Sequence, residues 1–130
     1  MFKAGDIVHF HSKIAAKGKY HLCISTGCLD GVHAFLFINS EHKYEGDCVF
    51  DDGVILGLAK SRTGSTVVGF SQIVRVKVKK MALWKPAVRG TASKAVIQKL
   101  LEHANKVQSL NRKDRKKVID ALSDIIMALD

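Results

Sequence analysis

Four side chains near the start of the sequence are of types that carry chemistry. His9 and His11 alternate with Phe10, so in a β-strand both imidazoles point to the same side. His21 and Cys23 have the same spacing in the next strand-like segment. Because an imidazole titrates near neutral pH, the histidines are candidates for general acid–base catalysis. The alternative is an ordinary position on the surface of a strand.

The same four side chains define an alternative metal site. If the two strands pair as a hairpin, the H-x-H and H-x-C pairs face each other and supply four ligands that suit zinc. The spacing is not a known zinc signature. We therefore predict no metal and no other cofactor, and keep a zinc-binding hairpin as an alternative.

Positive charges lie next to these histidines. Lys13, Lys17 and Lys19 belong to the polar segment that joins the two strand-like runs. Histidines beside cations suit phosphate chemistry, in which one group moves a proton and another faces the developing negative charge. A solvated basic loop is the alternative interpretation.

The net charge of +9 is confined to the second part of the chain. Residues 1–74 have equal numbers of basic and acidic side chains, whereas residues 75–130 hold fourteen Lys or Arg and five Asp or Glu. A neutral first part with a basic tail indicates an anionic partner, either nucleic acid, an acidic protein segment or a membrane surface. Lysines that only keep a helical face hydrated are the alternative.

The densest positive charge is the segment Arg112–Lys117, in which only Asp114 is acidic. It falls in the first turns of a predicted helix. Cations oppose the helix dipole there, and the free backbone N–H groups of that end attract anions. The segment therefore favours an acidic partner or a nucleic-acid backbone, with an exposed basic turn as the alternative.

Length and cysteine content limit the class of protein. A chain of 130 residues fits one domain with its own core. Cys23, Cys28 and Cys48 are odd in number and lack C-x-x-C spacing, which argues against a disulfide framework. The first residues lack the apolar run of a secretory signal, and no run is long enough for a membrane span. We expect a reduced, cytoplasmic protein that does not enter a membrane.

Apolar runs of β-type before Trp84 predict an antiparallel barrel. No helical pattern separates these runs, which argues against βαβ units. Gly69 is expected to mark a bulge or bend in the longest run. The predicted strands are Ile7–His11, Tyr20–Ser25, Val32–Asn39, Cys48–Phe50, Val54–Leu58 and Thr66–Lys79.

The period becomes helical after the single proline, Pro86. Apolar stripes predict one helix in Thr91–Val107 and another in Leu110–Leu129, with Asn111 as the N-cap of the second. We therefore expect a mostly β, α+β fold: an antiparallel barrel over residues 1–83 and a basic helical region over residues 84–130, packed as one domain.

Four segments of the predicted barrel resemble the PemK/MazF-type toxins of toxin–antitoxin modules. Gly5–Val8 looks like the opening G-D-I/V strand of that family, and Lys19–Ser25 is similar to its R-P-A-L-V-L-S strand. Phe37–Ser40 and Val67–Ile73 resemble its strand ending in Thr-Ser and its V-x-x-D-Q-I strand. The resemblance implies an SH3-like barrel, closed by a terminal helix.

The resemblance also implies a function. Such toxins cleave single-stranded RNA without a metal, pair as homodimers, and are restrained by an acidic antitoxin protein. In this chain Lys19 stands where the family has Arg, and Ser71 stands where it has the Asp before Gln72. Catalysis then requires a histidine to move the proton. A non-catalytic barrel that binds nucleic acid or an acidic protein is the alternative.

The resulting site prediction has two parts. A catalytic groove is expected to join His9 or His11, Lys19, His21 and Ser71, with Lys19 facing the phosphate. Further residues are expected to bind the nucleic acid: Lys17, Asn39, Ser40, Gln72, Arg112, Lys113, Arg115 and Lys116.

Overall fold

The computed structural model describes residues 1–11, 18–27, 30–42, 44–55, 57–58, 61 and 63–130. Within these residues the chain forms seven strands and three helices. The strands are β1 (Asp6–Phe10), β2 (Lys19–Ser25), β3 (Val32–Asn39), β4 (Cys48–Asp51), β5 (Ser65–Val68), β6 (Val74–Lys77) and β7 (Ala87–Thr91), and the helices are α1 (Val78–Leu83), α2 (Lys94–Lys106) and α3 (Arg112–Leu129).

All strand pairs are antiparallel, and the sheet curls into a half-barrel. The strand order is β4-β5-β3-β2-β1-β7, and β6 also pairs with β3. The central strand β3 therefore pairs with β2 on one side, and with β6 and then β5 along the other side. The curled antiparallel sheet followed by helices confirms the predicted mostly β, α+β class.

Strand register divides the side chains between two faces of the sheet. Ile7 pairs with Leu22, and Val8 pairs with His21. Since directly paired residues share a face and neighbours along a strand alternate, these two pairs lie on opposite faces. Ile7 and Leu22 pack in one buried cluster with residues of α2 and α3, so we call their side the helix face. Val8 packs on the second face, in a cluster with Met81 of α1.

No strand pair among the described residues joins the two edge strands, β4 and β7. β1 pairs with β2 and with β7, and the 66–79 segment pairs with β3 and β4 instead. Gly57, in the loop after β4, approaches β7 so closely that an added Cβ would lie 2.1 Å from the carbonyl oxygen of Arg89. Gly57 therefore lies against the backbone of the edge strand β7.

Three local expectations differ from the structure. The predicted strand Thr66–Lys79 is two strands, β5 and β6, with the bend expected at Gly69 at the break between them, and its last two residues, Val78 and Lys79, begin helix α1. The described residues of Val54–Leu58 form no strand. Strand β7 was not predicted, because its short sequence AVRGT lies beside Pro86 and carries a glycine, and its pairing with β1 is a tertiary contact.

The two long helices confirm the helical stripes. Ser93 caps α2, where its side chain accepts a hydrogen bond from the backbone N–H of Val96. Asn111 caps α3 by accepting from the backbone N–H of Asp114 at 2.8 Å. Their apolar stripes bury Leu100 and Leu122 fully against the helix face of the sheet.

Most of the expected core is confirmed. Phe37 is half-buried, whereas the other predicted core residues are buried: Val8, Phe10, Leu22, Ile24, Phe35, Val68 and Phe70. Between Ile7 and Val76 the described residues contain no helix, as expected.

Candidate functional site

The first predicted pair of histidines is assembled as expected. His9 is half-buried and His11 is exposed at the end of β1. Both rings border Gly18, because a Cβ added there would lie 2.8 Å from Nε2 of His9 and 3.2 Å from Nε2 of His11. The ring of Tyr20 meets His9 edge-on, with centroids 4.9 Å apart. Two imidazoles and a phenol ring therefore lie together at one end of the β1–β2 strand pair.

The second pair, His21 and Cys23, lies on the opposite face. In the strand register, His9 lies opposite Tyr20, and His21 lies opposite Val8. The side chains of the H-x-H motif and those of the H-x-C motif therefore point to opposite faces of the sheet. The four-ligand zinc hairpin is therefore wrong. The described residues also hold no group of three or more His, Cys, Asp or Glu side chains placed to bind a metal ion.

His21 is a core residue rather than a groove residue. Its side chain is fully buried and stacks on Phe10, with ring centroids 3.8 Å apart and planes 8° apart. Burial lowers the pKa of His21 to about 4, although the backbone of Val8 and Lys19 partly opposes this. Neither ring nitrogen makes a hydrogen bond of normal geometry. An imidazole enclosed in this way has no surface that a bound substrate could contact in this structure, which argues against the predicted catalytic role of His21.

Cys23 is equally enclosed. Its side chain is fully buried, and burial raises the pKa of the thiol to about 12. The charge of Asp6 acts in the same direction. A thiol in this environment is neither a nucleophile nor a ready metal ligand at neutral pH.

Two predicted site residues, Lys19 and Asn39, contact each other where β2 begins and β3 ends. Lys19 Nζ lies 3.4 Å from the side-chain oxygen of Asn39 and 5.9 Å from the centroid of the Phe37 ring. Ser40 follows Asn39 and is exposed, and its carbonyl accepts a hydrogen bond from the Thr63 hydroxyl. Since Lys19 pairs with Phe10, its contacts with Asn39 and Phe37 lie on the second face, away from His9.

Ser71 and Gln72 lie elsewhere. Both are exposed in the connection between β5 and β6, which borders β3 through the bond from Gly69 N–H to the Phe37 carbonyl. Strand β2 separates β3 from the histidines of β1. The structure thus does not assemble the single catalytic groove that was predicted. Lys13 and Lys17 lie outside the described residues.

The basic segment of α3 is partly engaged within the protein. Arg115 donates to the carbonyl of Val107 at 3.4 Å, and Lys116 pairs with Asp120 at 3.1 Å. The acidic residue of the segment, Asp114, pairs with Arg75 of β6 at 2.8 Å.

Three cations of the same segment have no such partner. Among the described residues, Arg112, Lys113 and Lys117 make no salt bridge and no side-chain hydrogen bond. Arg112 lies one helical turn before Lys116, and Lys113 lies one helical turn before Lys117. This spacing places the cations along one stripe of α3.

A groove of about 690 Å³ runs beside this stripe, and we call it the α3 groove. Its walls are one side of α3, the turn before β1, and the ends of β2 and β7. Its floor is apolar, with Ile24, Ala92, Ala121 and Ile125 among the lining residues. Charged residues line it as well: the lysines Lys3, Lys113, Lys116 and Lys117, and the carboxylates Asp120 and Asp124.

The α3 groove was not predicted from the sequence. Lys3, Ile24 and Ile125 are distant along the chain and carry no motif. The only signal was the change from cations at the start of α3 to apolar residues along its stripe. The groove depends on where α3 lies across the ends of β2 and β7, which is a tertiary relationship.

Comparison with known protein families, with curated proteins and with solved structures gives no match to this chain. In the described part of the chain, no helix is both long enough and apolar enough to cross a membrane. The toxin resemblance therefore stays a prediction, and the function is argued from the sites themselves.

Proposed function

We propose that this protein is a binding module whose α3 groove holds an acidic, amphipathic segment of a protein partner. The observation that carries the proposal is the pairing of an apolar floor with lysines in one groove. A bare polyanion would leave the floor formed by Ile24, Ala92 and Ile125 unused. A helix or strand with apolar residues on one side and carboxylates beside them would use both features.

Size supports this occupant, and so does charge, because four lysines line the groove against two carboxylates, Asp120 and Asp124. Lys113 and Lys117 have no acidic partner within the described residues, so a carboxylate arriving there displaces no internal ion pair. The groove volume of about 690 Å³ accommodates several side chains. Within the toxin–antitoxin interpretation, the occupant would be the acidic antitoxin.

Paired lysine variants test this proposal. Lys113→Ala with Lys117→Ala is expected to weaken binding of a synthetic acidic peptide that carries leucines at helical spacing. The matched control is Lys79→Ala with Lys80→Ala, since these exposed lysines of α1 lie away from the groove. Equal affinity of the two double variants, or equal binding of a peptide whose leucines are replaced by serines, would contradict the proposal.

A second candidate function is metal-independent RNA cleavage, as the resemblance implies. It is favoured by one observation, the adjacency of the His9 and His11 rings over Gly18. Two neighbouring imidazoles can supply the base that deprotonates a ribose 2′-hydroxyl and the acid that protonates the leaving oxygen. His21 and Ser71 have no part in this version of the site.

Cleavage of single-stranded RNA in the presence of a chelator tests the second candidate. His9→Ala and His11→Ala should each reduce the rate by about 10²–10⁴. His42→Ala is the matched control, because His42 is an exposed histidine whose Nε2 bonds to the carbonyl of Tyr44. Full activity of both β1 variants, or no cleavage by the parent protein, would contradict it.

A further inference from the structure

Helix α1 projects an apolar side chain from the second face of the sheet. Met81 is its only buried residue, and it joins the core cluster of that face. Lys79 and Leu83 each lie two residues from Met81, roughly 200° around the helix axis, so both point to the outer side of α1. Leu83 is 80% exposed, more than any other large apolar residue that the structure describes except Met1. The outermost surface of α1 therefore combines an apolar side chain with a cation.

Two further apolar residues lie on the same face beside Leu83. Trp84 ends α1 and stacks on Phe10, with ring centroids 5.8 Å apart, and it is half-buried. Val88 pairs with Val8, which lies two residues from Phe10 in β1, so Val88 is also on the second face. Val88 is 48% exposed. Leu83, Trp84 and Val88 form an apolar surface that we call the Trp84 patch.

Lysines border the Trp84 patch. Within the described residues they make no salt bridge and no side-chain hydrogen bond, and all three are exposed: Lys79, Lys80 and Lys85. The sequence holds no acidic residue between Asp52 and Glu102. Asp30, which precedes β3 near the start of α1, already accepts a hydrogen bond from the backbone N–H of Val32. The surroundings of the patch are therefore basic.

We propose that the Trp84 patch docks the protein on an anionic lipid surface. Leu83 and Val88 enter the boundary between the headgroups and the acyl chains, and Trp84 takes the interfacial position that its ring favours. The three lysines contact the phosphates and carboxylates of the headgroups. These side chains reach only the surface layer, so docking requires no spanning helix. The proposal departs from the sequence-based expectation that the protein does not enter a membrane.

The chemistry of the patch favours a lipid surface over the other anionic partners. Nucleic acid would leave the aliphatic side chains of Leu83 and Val88 in water. A protein partner would need a cavity shaped for Leu83, which projects from the outer side of a six-residue helix. Acyl chains adapt to a protruding side chain, and anionic headgroups supply the charge that complements the lysines.

This docking goes beyond the proposed function and does not depend on it. The Trp84 patch lies on the second face of the sheet, whereas Ile24, Ala92 and Ile125 of the α3 groove belong to the cluster of the helix face. Both surfaces are therefore accessible at once. A protein bound to lipid through one face could hold a peptide on the other.

The chain carries one tryptophan, so its fluorescence reports on the Trp84 patch alone. The experiment titrates the full chain with vesicles of phosphatidylcholine and phosphatidylserine, and with vesicles of phosphatidylcholine only. The mixed vesicles should bind the protein and shift the Trp84 emission to shorter wavelength, and brominated acyl chains should quench it. Binding to the uncharged vesicles should be much weaker.

An apolar substitution tests the contact with the acyl chains. Leu83→Ser should weaken binding to the mixed vesicles roughly tenfold, because its apolar surface no longer leaves water. Tyr44→Ser is the matched control and should bind as the parent does. Tyr44 is 54% exposed in the connection before β4, which lies at the opposite end of the strand order from β7.

Two lysine pairs test the contact with the headgroups. Lys79→Ala with Lys80→Ala should weaken vesicle binding roughly 30-fold at low salt, since each lysine at an anionic surface contributes about fivefold. Lys113→Ala with Lys117→Ala removes the same charge from the α3 groove and should leave vesicle binding unchanged. The order is reversed for the acidic peptide, so failure of one site is distinguished from failure of the other. Urea unfolding of each variant shows whether a loss of binding reflects a loss of folded protein.

Several results would overturn the proposal. These are a parent protein that ignores the mixed vesicles, binding without a change in Trp84 emission, equal binding by Leu83→Ser and Tyr44→Ser, or equal losses in the two lysine pairs. Binding of RNA or of the acidic peptide that is lost with Lys79→Ala and Lys80→Ala, without vesicle binding by the parent, would identify a nucleic acid or a protein as the occupant instead.

Discussion

His9 and His21 lie on opposite faces of the hairpin formed by β1 and β2. His9 pairs with Tyr20 and His21 pairs with Val8, so a difference of one residue in register separates the two imidazoles. The His9 side chain is half-buried and lies beside Gly18, whereas the His21 side chain is enclosed by aromatic rings. Histidine therefore occupies a partly exposed position at residue 9 and a core position at residue 21.

The burial of His21 predicts loss of stability at acidic pH. The pKa of His21 is lowered from the usual 6.5 to about 4 in the folded protein. Between pH 6.5 and pH 4, His21 therefore binds a proton in the unfolded chain but not in the folded one. The free energy of unfolding should therefore decrease as pH falls from 6.5 to 4, by roughly 3 kcal/mol in total. Urea unfolding at several pH values measures this decrease.

His21→Phe isolates the effect. The variant keeps an aromatic ring and removes two unpartnered nitrogens, so its stability should fall less steeply with acid than that of the parent. His42→Ala, at an exposed position, should leave the dependence unchanged. Some dependence will persist because burial also lowers the pKa of His33. Identical pH profiles for the parent and His21→Phe would contradict the prediction.

Gly57 tests the contact between the segment after β4 and strand β7. Gly57→Ala should lower the free energy of unfolding by more than about 3 kcal/mol, because the new Cβ meets the Arg89 carbonyl at 2.1 Å as well as requiring a positive φ. Gly53→Ala is the control, since Gly53 has nearly the same φ of +90° and nothing within 4 Å. It should cost about 1–2 kcal/mol. Equal losses in the two variants would show that the loop contact with β7 has no energetic role.

The unpaired cations of α3 predict salt-dependent binding. Replacing Arg112, Lys113 and Lys117 with glutamine should weaken binding of RNA or acidic peptide and flatten the plot of affinity against salt. Arg115→Gln is a poor probe because Arg115 donates to the Val107 carbonyl and has a structural role. An unchanged salt slope in the triple variant would show that the stripe is only a hydrated surface.

The family resemblance implies a homodimer, and we expect the end of α3 to form its interface. Met127 is 73% exposed and Leu129 is 47% exposed there, so two copies could bury these side chains against each other. Met127→Glu should then convert a dimer into a monomer in analytical ultracentrifugation. A parent protein that is monomeric at high concentration would contradict the prediction.

Local patterns predicted the elements well and the site poorly, for a physical reason. The alternation in β1 and the apolar stripe of α3 are visible in a single segment, and both elements are confirmed. A site depends on register and on contacts between distant segments. Ser71 resembled a family motif position, but the break between β5 and β6 places it beside β3. The pairing of β7 with β1 was likewise invisible in the sequence.

Chemical-shift mapping of the acidic, leucine-bearing peptide on the ¹⁵N-labelled protein tests the central claim most directly. Binding in the α3 groove predicts shifts of the backbone amides of Thr26, Ala92, Ala121 and Ile125, and little change at Asn39 on the second face. These shifts should be lost in the variant carrying Lys113→Ala and Lys117→Ala. Shifts centred on any other surface, or no shifts at saturating peptide, would contradict the proposed function.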